Sequence, residues 1–147
     1  MVRMTANVGL LILVASTIGC EVSTARVSLA DACSRDTGSV VKVVGFLKIP
    51  ESVSGQDPDN PTSSKNTLLL FEQAKSKGVF VNVSFLASVD PEPNRINRLP
   101  VKDRYSDLSV ITNNGGIARS DDRIAVIGKV RKDANECSID AERIEKY

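Results

Sequence analysis

Three cysteines carry most of the chemistry in this chain: Cys20, Cys33 and Cys137. A thiol can take a lipid, close a disulfide, ligate a metal or attack a carbonyl. The last two uses need partners that are scarce here. The sequence has no His, which removes the Ser-His and Cys-His arrangements and the commonest general base. With no His, the two thiols that remain if Cys20 takes a lipid make an incomplete zinc site. Carboxylates remain. Asp121 and Asp122 are adjacent at the entrance of a strand-like run, where paired acids usually serve a turn. Asp57-Pro58-Asp59-Asn60 faintly follows a calcium loop, but it lacks the following Gly and the distal Glu. No catalytic residue, metal ligand or cofactor is expected.

Cys20 ends a distinctive stretch. Arg3 is followed by Met4 to Gly19 without a charge. A basic start, an apolar run and then small residues is the layout of a secretory signal. The apolar part is short for a membrane span, which needs about 20 residues. A buried helix or a retained anchor is the alternative. Thr17-Ile18-Gly19-Cys20 resembles a bacterial lipobox. The resemblance implies that residues 1–19 are removed as a signal helix and that Cys20 receives diacylglycerol. Thr17 departs from the pattern, which prefers Leu there. A competing cut lies after Ala25, because Ser23 and Ala25 offer small residues at the two critical positions. That cut would release a secreted or periplasmic soluble protein without Cys20.

Assigning Cys20 to lipid leaves an even pair. In an oxidising compartment Cys33 and Cys137 suggest one disulfide, closing a loop of about a hundred residues. Two free thiols, one of them buried, is the alternative. The same processing sets the charge. The chain has 19 basic and 18 acidic residues. Residues 1–19 contain Arg3 and no acid, so the remainder holds 18 of each. That balance argues against a nucleic-acid partner, which usually draws a basic excess. Arg95 to Tyr105 is the most basic local stretch, but Asp90, Glu92, Asp103 and Asp107 surround it.

The elements that position these residues are mostly strands. Residues 20–37 have the composition of a tether, with a helical turn at Val27–Ala32. Strand patterns follow over 39–49, 67–72, 79–86, 107–112, 123–131 and 137–144. Period-two alternation turns Val41, Val43, Leu47 and Ile49 to one side, and Val79, Val81, Val83 and Phe85 likewise. Gly45 and Gly128 interrupt their runs, as bends in a barrel require. Phe46, Phe71 and Phe85 are assigned to the core or near it, and Phe80 to the outer face. Residues 50–66 hold three prolines and form the longest loop. Asn113-Asn114-Gly115-Gly116 signals a tight turn. These patterns make an all-β fold of five to six short strands over residues 38–147.

Val41-Lys42-Val43-Val44-Gly45-Phe46-Leu47, Arg123 to Val130 and Ile139 to Glu145 together resemble an OB-fold, of the kind found in extracytoplasmic domains of bacterial lipoproteins. The resemblance covers residues 38–147. It departs from the pattern in having no helix-like stretch between the third and fourth barrel strands. It implies a small barrel whose ligand face lies on the second and third strands, flanked by loops 50–66 and 132–136. Phe80, Asn82 and Ser84 would line that face, with charge from Lys42 and Lys129.

Three functions remain in view. The first is a lipid-anchored, non-catalytic cell-envelope domain that binds a protein, peptide or glycan, its membrane contact being the N-terminal lipid. The second is an extracytoplasmic oligonucleotide binder. The third, a carboxylate-dependent hydrolase, has the weakest motif support.

Overall fold

A computed structural model describes residues 24–49, 65–88, 90–97 and 108–147. The signal stretch, Cys20, the Asp57–Asn60 motif and the basic run from 98 to 105 lie outside the described residues.

The first element is a single helical turn, α1 (Leu29–Ala32), capped by the Ser28 hydroxyl, which accepts from the Asp31 backbone N–H. Eight strands follow: β1 (Val40–Lys48), β2 (Lys65–Gln73), β3 (Lys77–Ser88), β4 (Arg95–Asn97), β5 (Ser109–Ile111), β6 (Ile117–Ala118), β7 (Arg123–Lys132) and β8 (Cys137–Lys146). Five of them close a barrel in the order β1-β2-β3-β8-β7 and back to β1. Four of its contacts are antiparallel and β3–β8 is parallel. That is the connectivity of an OB-like barrel. Among the described residues the expected five to six strands become eight, because three short ones lie between β3 and β7.

Branched residues at every second position build the barrel wall. Val41, Val43 and Leu47 on β1, Leu68 and Leu70 on β2, and Val81, Val83 and Phe85 on β3 are buried in one cluster with Ile124, Val126, Val130, Ile139 and Ile144. Val79 departs from the expected alternation and is exposed, because the β2–β3 hairpin projects past the end of the core. Its three-residue turn, 74–76, carries Lys75 and Ser76 at φ of 60° and 56°, left-handed conformations of the kind that tight hairpin loops use.

The two glycines sit where backbones meet. A Cβ on Gly45 would lie 2.6 Å from the Phe71 carbonyl oxygen and 2.8 Å from Leu70 Cγ. On Gly128 it would collide with the Asp140 carbonyl, beside the irregularity between Ile127 and Gly128 in the β7–β8 ladder. Both positions let the sheet bend sharply enough to close.

The ends of the barrel are filled by unexpected pieces. Residues 24–37 have tether-like composition, yet Leu29 and Ala32 of α1 are buried in the core cluster. α1 packs on both β1 and β3. Arg26 forms a parallel bridge with Lys42, and the Val27 N–H donates to the Lys42 carbonyl at 2.9 Å. Cys33, the C-cap of α1, is disulfide-bonded to Cys137 at the start of β8. Between β3 and β7 no described helix occurs. Ile96, Val110 and Ala118 from β4, β5 and β6 contribute to the same core instead. Asn94, at φ 60°, fastens this excursion. Its Oδ1 accepts from the Ile144 N–H at 2.8 Å and its Nδ2 donates to Asn113 Oδ1 at 3.3 Å.

Candidate functional site

Strand parity decides what the barrel shows to solvent. On β3, Val81, Val83 and Phe85 point inward, so Phe80, Asn82, Ser84 and Leu86 share the outer face. Antiparallel pairing places β2 residues directly beside them: Phe71 opposite Phe80, Leu69 opposite Asn82, and Thr67 opposite Ser84. Phe80 is 54% exposed and Leu86 37%. Leu69, Phe71, Asn82 and Ser84 are half-buried and Thr67 is exposed. The result is an apolar surface with one amide and two hydroxyls set into it.

The aromatic residues extend beyond β3. Phe46 on β1 is opposite Phe71, and on its other side opposite Arg123 of β7. Phe46 therefore belongs to the outer face and not to the core, and so does Phe71. Of the three phenylalanines expected in the core or near it, Phe85 alone is fully buried. The Phe71 and Phe80 rings are 5.3 Å apart and tilted by 38°, a cross-strand contact that also stabilises the sheet. The Arg123 guanidinium carbon lies 5.9 Å from the Phe46 ring centre and 4.7 Å from that of Tyr147. Arg26 lies 5.7 Å from the same tyrosine ring, and its Nη1 donates to the Tyr147 hydroxyl at 3.3 Å.

The structure brings Phe80, Asn82 and Ser84 together, but not the two lysines. Lys42, on β1, contacts Glu145 Oε2 at 2.9 Å, and Lys129, on β7, contacts Glu142 Oε1 at 2.8 Å. Lys42 donates to the Glu145 carboxylate and holds it below the usual carboxylate range against the opposing effect of burial. The hydrogen bond with Glu142, reinforced by its charge, raises Lys129 above its ordinary value. These lysines are matched to their own neighbouring acids. Lys48 and Lys77, by contrast, join no ion pair among the described residues. Lys48 is paired with Leu69 in the ladder, and Lys77 lies three residues before Phe80.

Asp121 and Asp122 serve structure. Asp122 Oδ2 accepts from the Arg119 N–H at 3.0 Å and lies 3.5 Å from Lys146. Asp121 Oδ1 accepts from the Lys75 N–H at 3.3 Å. Both therefore hold a turn. Among the described residues no group of three or more Cys, Asp or Glu side chains is placed to hold a metal ion, and no helix is long and apolar enough to cross a membrane.

The parity of β1 could have exposed Phe46, since Val41, Val43 and Leu47 already define the inner side. Phe71 carried no such signal, because Leu68-Leu69-Leu70-Phe71 is apolar at every position. The meeting of Arg26 with Tyr147, 121 residues apart, had none either. No protein-family model and no curated protein matches this sequence.

Proposed function

We propose that the chain is a lipid-anchored, non-catalytic binding or assembly domain of the bacterial cell envelope, and that it takes a protein, peptide or glycan on the outer face of β2 and β3. The observation that carries this reading is the exposed Phe80 beside Phe71, Leu69 and Leu86, with Asn82, Ser84 and Thr67 interleaved. Apolar surface with a few placed polar groups is the composition of a recognition surface. The lipobox-like Thr17-Ile18-Gly19-Cys20 supplies the anchor in this reading.

Titrating the labelled protein with peptidoglycan fragments and with envelope-derived peptides, and following amide shifts, tests it. Perturbations centred on residues 67–71 and 80–86, lost in Phe80→Ala, are expected from one of the two ligand classes. Shifts confined elsewhere, or turnover of a hydrolase substrate that depends on a Ser or Asp, would refute it. Incorporation of labelled fatty acid in the wild type but not in Cys20→Ala tests the anchor separately.

Lys48 and Lys77, without an ion pair among the described residues and near the Phe46–Phe71–Phe80 row, favour a second reading, single-strand oligonucleotide binding by stacking. It predicts retention that weakens with salt and with Phe80→Ala. No retention at low salt would dismiss it.

A further inference from the structure

Arg26 is six residues after Cys20. Six residues of fully extended chain reach at most about 22 Å. A lipid on Cys20 would therefore keep that side of the barrel close to the bilayer. The side in question has an unusual composition. The Tyr147 ring, 59% exposed, has a guanidinium near it from Arg26 and another from Arg123, at 5.7 and 4.7 Å. Both arginines are exposed. Among the described residues neither forms an ion pair. The acids around them are already engaged: Glu145 with Lys42 and Arg143, and Asp122 with Lys146. Arg26 is set in place by its bridge to Lys42, and Tyr147 by its N–H, which donates to the Arg123 carbonyl at 3.0 Å.

We infer that Arg26, Tyr147 and Arg123 form a second contact with the membrane, docking the barrel on the phosphate groups of an anionic phospholipid surface. The inference rests on the reading that the chain is anchored ahead of Arg26. Guanidiniums outside ion pairs are suited to phosphate, and a tyrosine with an apolar ring and a polar tip suits the headgroup region.

The test uses the full chain held in vesicles by its own N-terminus, with Tyr147→Trp as reporter in a sequence that has no other Trp. Vesicles are phosphatidylcholine alone or mixed with phosphatidylglycerol, each carrying a lipid quencher at headgroup depth. Quenching of the indole in Tyr147→Trp is expected in the phosphatidylglycerol vesicles and is reversed by salt. Arg26→Gln and Arg123→Gln should each lower the ratio of docked to undocked barrel about five-fold, what one basic residue contributes at such a surface. The double variant should lower it about thirty-fold, with an unchanged thermal melt showing that the barrel is intact. Two results would each overturn the inference: equal quenching of the Tyr147→Trp reporter in both vesicle types, or quenching of that reporter insensitive to the double arginine substitution. Fatty-acid labelling at Cys20 reads the anchor independently, so loss of the anchor and loss of the docking contact are distinguishable.

Discussion

Replacing both Cys33 and Cys137 by Ala should cost this protein much of its stability. The disulfide closes a loop across 104 residues, from α1 to the first residue of the last strand. Loop-closure entropy grows as the logarithm of loop length, and for this loop it amounts to about 4.7 kcal/mol at 25 °C. Small domains are stable by only about 5–15 kcal/mol in all. The bridge also holds α1, whose Leu29 and Ala32 are buried in the core cluster, so its removal allows the segment before β1 to fray. Equilibrium urea unfolding of the oxidised wild type and the double variant measures the effect. With a slope of about 2 kcal/mol per molar urea, the midpoint should fall by roughly 2 M, and the slope should rise because the unlinked unfolded chain exposes more surface. Reducing the wild type should reproduce the shift. A midpoint that moves by less than about 0.5 M would refute the reasoning. It would mean that the unfolded chain gains little freedom when the link is cut, or that the two thiols are not joined in solution.

Gly45→Ala places a Cβ 2.6 Å from the Phe71 carbonyl, which is backbone and cannot step aside. A loss of about 1–3 kcal/mol is expected in the same unfolding assay. Asn94→Ala strands the Ile144 N–H that its side chain satisfies and puts Ala at φ 60°. A cost of about 1–3 kcal/mol is expected, and hydrogen exchange should quicken most in β4, β5 and the second half of β8. Glu145 titrates below the usual carboxylate range because Lys42 donates to it. A carboxyl lowered in the folded state contributes fully above its unfolded value and loses that contribution as pH falls through the folded one. The stability advantage of wild type over Glu145→Gln should therefore be constant near neutrality and shrink as acid is added. An advantage that grows in acid would contradict the pairing.

Local pattern was enough for several of these features. A strand turns successive side chains to opposite faces, so Val41, Val43, Leu47, Val81, Val83 and Phe85 could be assigned to the interior from their spacing. Gly45 and Gly128 could be read as bends for the same local reason. The cysteine count pointed to the Cys33–Cys137 pair, because removing Cys20 leaves two. The tether-like composition of residues 24–37 was misleading. Small and polar residues dominate there, and burial of Leu29 and Ala32 depends on an open barrel end that composition does not describe.

The candidate surface was decided elsewhere. Sequence placed Phe80 outside and could show Asn82 and Ser84 beside it, since all three lie on one strand. It could not show that Phe46, Phe71 and Phe80 stand in one row, because that depends on the registers of two separate ladders, and a slip of one residue would turn every side chain over. Nor could it show that Lys42 and Lys129 are matched to Glu145 and Glu142 on β8. Those acids are 103 and 13 residues away along the chain; the β7–β8 hairpin brings Glu142 to Lys129, and the pairing of β1 with β7 brings Lys42 to Glu145. The same pairings, with the Arg26–Lys42 bridge, set Arg26 and Arg123 around Tyr147. Composition, parity and the cysteine pair are properties of neighbouring residues and follow from the chain itself. The outward row and the arginine cluster are properties of strand order and register, which exist only when distant segments have paired.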